Sequence, residues 1–231
     1  MSIEQWNLEL GNKLCNKIEN NGFMSCITKA ERGYGKSMYN LKAMAYVYYH
    51  VHQLSETDAW NKALENIIFT PDQLMARIDY NIENDIISPV WCIDDATVHF
   101  SSYLFFINVF QSALMNAAFD TIRTVVHGLL INCPQKKRLL SALRHYDDFE
   151  ITIYLDRGYQ RRAVCIKYFS LPDGKQKFRK MFEDHFSCYV PTWVYDKYMI
   201  QRKHYLKEIN MEMQSLRDKL MQKKEKKSIP V

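Results

Sequence analysis

Glycine, lysine and serine stand together near the N-terminus in a spacing that suits phosphate binding. Residues 30–37 read Ala-Glu-Arg-Gly-Tyr-Gly-Lys-Ser, and the last three match the pattern G-x-x-x-x-G-K-[ST]. In that pattern backbone N–H groups wrap the β-phosphate, the lysine neutralises phosphate oxygens and the hydroxyl binds Mg²⁺. We therefore predict ATP and Mg²⁺ as cofactors, with Lys36 as a catalytic cation and Ser37 as a metal ligand. The residues expected to contact the nucleotide are Ala30, Glu31, Arg32, Gly33, Tyr34, Gly35, Lys36, Ser37 and Met38.

Alanine stands where the pattern has its first glycine. Because Ala30 is the smallest departure from glycine, we expect it to alter the entry geometry of the loop rather than the phosphate chemistry. The chain has only 7 glycines, and two of them, Gly33 and Gly35, fall in this short segment. A buried strand before the loop and an amphipathic helix after it are the flanks that the motif requires. The alternative is a chance Gly-Lys-Ser at the start of a helix.

Two carboxylates close an apolar run at residues 89–95, Pro-Val-Trp-Cys-Ile-Asp-Asp. An aspartate at the end of a core strand is suited to hold Mg²⁺ together with the hydroxyl of the phosphate loop, and we assign this role to Asp94. The next carboxylate, Asp95, is the candidate general base because it can accept the proton of an attacking water. Capping of a following helix at residues 96–100 is the alternative role for this pair.

A third apolar run, residues 124–132, also ends in a polar side chain. Asn132 fits a sensor of the γ-phosphate, and a turn residue before Cys133 and Pro134 is an equal alternative. An arginine that neutralises charge in the transition state would complete the site, and we select Arg144 for it. The other arginines considered for this role are Arg123, Arg138, Arg161 and Arg162.

Strands and helices alternate along the chain in the way that gives a parallel sheet with helices on both faces. The sequence predicts a hairpin of residues 150–155 and 161–169 around Asp156-Arg157-Gly158, at one edge of that sheet. It also predicts helices at residues 101–121, 134–145 and 175–186, and a long last helix that Pro191 opens. We divide the chain into an N-terminal helix (1–21), a phosphate-loop domain (22–190) and a C-terminal helix with a basic tail (191–231).

Composition favours a soluble protein of the cell interior. No stretch of eighteen apolar residues and no secretory signal is present, so we predict a cytoplasmic protein without a membrane partner. Four of the 6 cysteines lie in predicted buried strands, which fits reduced thiols better than disulfides. The net charge of +5 permits nucleic-acid binding without requiring it. The basic C-terminal helix is predicted to be a solvated helix or an arm that contacts DNA or a neighbouring subunit.

Residues 30–37, 89–95 and 130–134 together resemble the P-loop ATPases of the additional-strand class, which includes translocases, packaging motors and replication initiators. The stretch from Leu129 through Arg144 and the run at residues 191–198 are similar to small ATPases of archaeal viruses and plasmids. The resemblance covers roughly residues 20–205. It implies a three-layer P-loop NTPase fold, an action on DNA, and self-association into a ring or dimer with ATP between subunits.

Two other functions stay open from the sequence. A small nucleotide kinase on the same core would need a cationic lid, for which Arg157, Arg161 and Arg162 are the candidates. An ATP-dependent regulatory switch would bind ATP tightly, hydrolyse it slowly and recruit a partner through the C-terminal helix. The aspartate at position 95, where related ATPases commonly have glutamate, is compatible with slow hydrolysis.

Overall fold

The computed structural model describes residues 8–97, 100, 109–139, 141–144, 149–158, 160–171 and 175–227. The chain divides into two compact units, Met1–Val190 and Pro191–Val231. The first unit holds a sheet with flanking helices. The second contains one long helix, α7 (Thr192–Lys227).

The first unit is an α/β structure built on a mixed seven-stranded sheet. The strand order is β2-β3-β4-β1-β5-β6-β7. The five strands from β2 to β5 pair in parallel, whereas β6 and β7 pair antiparallel at one edge. The strands are β1 (Met24–Lys29), β2 (Ile67–Ile68), β3 (Ser88–Ile93), β4 (Val126–Cys133), β5 (Phe149–Leu155), β6 (Gln160–Ser170) and β7 (Gln176–Ser187).

Six further helices belong to this unit, among the described residues. They are α1 (Glu9–Glu19), α2 (Lys36–Val51), α3 (Glu56–Glu65), α4 (Pro71–Glu83), α5 (Val109–Thr121) and α6 (Ser141–Arg144). Local capping sets several of their ends. Ser55 accepts from the Asp58 N–H and Thr70 from the Gln73 N–H, and Pro71 occupies the first turn of α4. The predicted start of α4 is therefore confirmed.

The two faces of the sheet receive different helices. On one face, α1 packs closely against α2 and against the sheet. A Cβ on Gly11 of α1 would lie 2.7 Å from Tyr46 of α2, and one on Gly128 of β4 would lie 2.7 Å from Leu14 of α1. On the other face, residues of α4 and α5 share one apolar cluster with β3 and β4. Successive strand residues point to opposite faces, so Ile93 joins that cluster while Cys92 faces α2.

Three predicted elements differ from the structure. Residues 176–187 form strand β7 and not a helix, so the hairpin of β5 and β6 gains a third antiparallel strand and the sheet is only partly parallel. The predicted helix at residues 134–145 is a 3-10 turn, Lys136–Arg138, followed by the four-residue α6. Leu139 interrupts it with an extended backbone (φ −69°, ψ 151°). Of the helix predicted at residues 101–121, only Val109–Thr121 lies within the described residues, and it is helical.

Candidate nucleotide site

The loop between β1 and α2 has the backbone that its two glycines permit. Gly33 and Gly35 have φ angles of 83° and 90°, in the left-handed region that L side chains rarely adopt. Gly35 is also the N-cap of α2, and its carbonyl accepts the Tyr39 N–H at 2.9 Å. The positive end of the α2 dipole thus begins directly after the loop, where an anion would be stabilised.

Glycine is favoured at position 35 by the left-handed backbone and also by the close approach of a neighbouring side chain. A Cβ built there would lie 2.3 Å from the Cys188 Sγ and 3.6 Å from Phe186. Nothing lies within 4 Å of the equivalent position on Gly33. The chain just beyond β7 therefore packs against the loop at Gly35 and leaves Gly33 open.

Lys36 is folded back onto the loop that it follows. Its Nζ donates to the Ala30 carbonyl at 2.9 Å and to the Glu31 carbonyl at 3.0 Å. The two carbonyl oxygens hold the ammonium against the loop backbone. Lys36 is half-buried, so its charge is partly shielded from water.

Ser37 and Asp94 meet across the sheet edge. The Ser37 Oγ donates to the Asp94 Oδ1 at 2.9 Å. The same oxygen accepts from the Asn132 Nδ2 at 2.9 Å and from the Asp95 N–H at 3.0 Å. Since Asp94 is only 2% exposed, these donors offset the cost of its burial. A hydroxyl and a carboxylate at this separation are oxygen ligands of the kind that Mg²⁺ prefers.

A buried chain of hydrogen bonds leads from β1 to Asp94. Thr28 Oγ1 donates to Asn40 Oδ1 at 3.1 Å, Asn40 Nδ2 donates to Asn132 Oδ1 at 2.8 Å, and Asn132 donates to Asp94. Because an ionised carboxylate can only accept hydrogen bonds, Asp94 requires the amide nitrogen of Asn132 to face it. The amide oxygen of Asn132 then requires the amide nitrogen of Asn40. All four side chains are buried. Asn132, predicted as a phosphate sensor, therefore has both its amide oxygen and its amide nitrogen bonded inside this chain.

Asn40 and Thr28 were missed at the sequence level. Asn40 lies on α2 one turn after Lys36, and its signal is an uncharged polar residue on a helix whose residues 38–45 are all buried. Such a residue needs hydrogen-bond partners, so it marks a buried polar contact even though its partners lie far away in sequence.

Asp95 and Arg144 are placed differently by the fold. Asp95 follows the strand end directly, is half-buried and takes a left-handed backbone with φ of 47°. Arg144 ends the short helix α6 and is half-buried. Among the described residues, Arg144 makes no hydrogen bond or ion pair with the loop or with Asp94. The structure thus keeps Asp95 beside Asp94 and does not bring Arg144 into contact with Ser37 or Asp94.

Another arginine lies near the loop. Glu31 accepts a hydrogen bond from the Tyr34 phenol and raises the pKa of Tyr34, while the positive charge of Arg161 opposes that shift. Arg161 pairs on the sheet with Phe186, whose ring lies beside Gly35. The Nε of Arg161 is buried and finds no hydrogen-bond partner among the described residues. Arg162, the next residue, faces the opposite side and pairs with Glu183 at 3.8 Å, so these two arginines do not form one cluster.

The C-terminal half of β7 forms hydrogen bonds with α2 and with the start of α1. The Asp184 carboxylate accepts from the Tyr39 hydroxyl at 2.6 Å and from the N–H groups of Glu9 and Leu10 at 2.8 and 3.3 Å. It thereby caps α1, whose own N-cap residue makes no side-chain bond. Burial raises the pKa of Asp184 despite these donors. Lys42 Nζ donates to the Ser187 carbonyl at 2.7 Å.

No protein-family model matches this sequence. The chain is 25% identical over 223 residues to "uncharacterized protein B-251" of Sulfolobus spindle-shape virus 1, across 93% of this chain and 87% of the viral protein. The similarity agrees with the expected viral source of related proteins, and the name of this relative gives it no activity. The expected likeness to small ATPases stays a prediction. Among the described residues, no helix combines the length and the apolar character needed to cross a bilayer.

Proposed function

We propose that this protein binds ATP with Mg²⁺ and hydrolyses it in an action on DNA. The observation that carries the proposal is the meeting of Ser37 and Asp94 at 2.9 Å, directly behind a loop in which the Lys36 ammonium faces backbone carbonyls. The loop would hold the triphosphate through its N–H groups, and Lys36 would exchange its carbonyl partners for phosphate oxygens. When bound, Mg²⁺ would neutralise charge on the β- and γ-phosphates.

The order of the strands supports the P-loop NTPase assignment. Strand β4 lies between β1, which leads into the phosphate loop, and β3, which ends at Asp94. One strand inserted between these two is the arrangement that the name of the additional-strand class describes. The carboxyl ends of β1, β3 and β4 lie at one sheet edge because these strands are parallel.

The remaining residues take supporting roles in the proposal. Asp95 would accept the proton of the attacking water, since it stands next to the metal ligand Asp94. Asn132 would hold Asp94 in place through its amide and not by a direct phosphate contact. Arg161, whose charge acts on Tyr34 of the loop, is a candidate to reach a phosphate there, and Arg144 would have to act on a neighbouring subunit in a ring or dimer.

Hydrolysis measured with and without DNA tests this function. The purified chain should release phosphate from ATP only with Mg²⁺ present, and DNA should raise the rate. Turnover that is negligible with every DNA, together with tight ATP binding, would instead favour a regulatory switch. Transfer of the γ-phosphate to a nucleotide in an acceptor screen would favour the kinase. If the protein binds no ATP at all, the ATPase, the regulatory switch and the kinase are all contradicted.

A further inference from the structure

The antiparallel edge of the sheet ends in an exposed, basic ribbon of two strands. We define the ribbon as residues 166–170 of β6 and residues 176–180 of β7, which pair in register from Ile166 with Lys180 to Ser170 with Gln176. The pairing of β5 with β6 reaches only Glu150 with Ile166. Beyond that point the described ribbon therefore continues without a third strand, and residues 175–180 are all exposed.

Positive charge is concentrated in this segment. Residues 166–180 contain five cations and one acid, a net charge of +4 from 5 − 1. The cations are Lys167, Lys175, Lys177, Arg179 and Lys180. Lys180 pairs with Glu183, and Lys167 lies over the rings of Phe149 and Phe169 at 5.3 and 5.9 Å. Such a concentration of charge attracts a polyanion.

Aromatic rings are interleaved with these cations. Phe178 is 71% exposed, Phe169 41% and Tyr168 39%. Directly paired residues share a face of the ribbon, so Lys167 and Arg179, with Phe169 and Lys177, line one face. Tyr168 and Phe178 pair on the other. Exposure of so much phenylalanine surface to water is unfavourable, and a partner with flat apolar faces would remove that surface from water.

We propose that this ribbon binds single-stranded DNA, with phosphates on its cations and bases stacked on its exposed rings. The inference rests on the proposed action on DNA and assigns that action to a surface. Single strands offer unpaired base faces, which a duplex hides within its stack, so the exposed rings favour the single strand. A lipid surface would need a contiguous apolar face, whereas cations stand beside the rings here.

The test is the fluorescence anisotropy of a labelled oligo-thymidylate, titrated with the full-length protein in the absence of nucleotide. The Lys177→Ala/Arg179→Ala variant should bind at least tenfold more weakly. Loss of two phosphate contacts should also reduce the slope of log affinity against log salt by about 1.4. Phe169→Ala, on the same face as Lys177 and Arg179, should weaken binding by about tenfold at an unchanged slope, because stacking on a ring releases no counterions.

Lys17→Ala/Lys62→Ala is the matched control, because it removes the same charge from exposed positions of α1 and α3, away from both basic segments. It should bind as the unaltered protein does. The proposal is overturned if this control weakens binding as much as the ribbon variants, or if the ribbon variants bind normally. It is also overturned if a duplex of equal length binds as tightly, or if only anionic vesicles bind. Urea midpoints equal to that of the unaltered protein establish that all variants are folded.

Failure of the ribbon and failure of the ATPase give different results. If the unaltered protein hydrolyses no ATP but the ribbon substitutions weaken DNA binding, the ribbon proposal is supported and the ATPase proposal is contradicted. If hydrolysis without DNA is normal in every variant and the ribbon substitutions leave DNA affinity unchanged, the ATPase stands and the ribbon falls.

Discussion

The Ser37 hydroxyl lies 2.9 Å from the Asp94 carboxylate although 57 positions separate the two residues in sequence. Ser37 stands in the first turn of α2 and Asp94 follows the last residue of β3. The parallel pairing of β1, β4 and β3 brings these two places to the same edge of the sheet. The distance is therefore a product of topology, and it places two oxygen atoms together at the position where we propose that Mg²⁺ binds.

Removing the hydroxyl of Ser37 should uncouple ATP binding from Mg²⁺. Ser37→Ala deletes one of the two proposed protein ligands, so adding Mg²⁺ should no longer raise the affinity for ATP. Ser37→Thr keeps the hydroxyl and should retain the effect. Titrations of ATP with and without Mg²⁺ measure the difference. A Ser37→Ala protein whose affinity still rises with Mg²⁺ would remove Ser37 from the metal site.

Asn132 should contribute to stability through the chain of buried hydrogen bonds. Asn132→Ala removes the acceptor of an Asn40 N–H and one of the three donors described for Asp94 Oδ1, which costs about 1–3 kcal/mol of unfolding free energy. Asn20→Ala is the control, because Asn20 is exposed and its amide bonds only the Asn16 carbonyl of its own helix. Urea unfolding compares them, and equal losses in both variants would contradict the proposed network.

The same chain predicts that Asn40 and Asn132 act as a unit. The loss in the double variant Asn40→Ala/Asn132→Ala should be smaller than the sum of the single losses, because each substitution already breaks the bond between them. Strict additivity would show that the two amides stabilise the protein independently.

The two glycines of the loop should differ in their tolerance of a methyl group. Gly33→Ala should cost about 1–2 kcal/mol, because only the left-handed backbone opposes it. Gly35→Ala should cost more, since its Cβ would also meet the Cys188 Sγ. Adding Cys188→Ala to Gly35→Ala should recover the excess. The measurement is urea unfolding; equal costs at both glycines, or no recovery, would contradict this packing.

Because of Lys42, the free energy of unfolding should increase as the pH rises into the mildly alkaline range. Its side chain is 2% exposed, and burial lowers the pKa of Lys42 from 10.5 to about 8. Between these pH values the unfolded chain binds a proton that the folded chain has released, so the free energy of unfolding rises with pH. Below pH 8 both states are protonated and the penalty is fully present.

Lys42→Met removes this titration. The free energy of unfolding of the unaltered protein, minus that of Lys42→Met, should be constant below pH 8 and rise towards pH 10.5. The exposed Lys62→Met is the matched control and should give a flat difference throughout. A flat difference for Lys42→Met as well would mean that the ammonium is not held in a water-poor site.

The sequence predicted those features that depend on neighbouring residues. The phosphate loop, the Thr70 cap with Pro71, and the strand that ends at Asp94 all have local signals. The site could be assembled in advance because the carboxyl ends of parallel strands share an edge. Ser37 and Asp94, which are distant in sequence, could thus be placed together without knowledge of side-chain packing.

The features that the sequence did not predict depend on tertiary contacts. Phe178, Phe182 and Phe186 recur every four residues, a spacing that suits one face of a helix. In β7 the register shift at Cys165 and Ile166 instead places Phe178 on the opposite face from Phe182 and Phe186. Pairing with β6 favours the strand over the helix, and in this strand Asp184 contacts Tyr39 and the start of α1. No local pattern identifies such a partner, because it depends on how the far edge of the sheet meets α2.

Direct binding of ATP by the unaltered protein and by Lys36→Ala, measured calorimetrically with Mg²⁺ present, tests the central claim. Lys36 would form charge-assisted bonds to phosphate oxygens, each of which contributes about 1.5–3 kcal/mol. We predict one ATP site per chain and an affinity at least tenfold weaker in Lys36→Ala, with hydrolysis abolished. If Lys36→Ala binds and hydrolyses ATP as the unaltered protein does, the loop at residues 30–37 is not the nucleotide site.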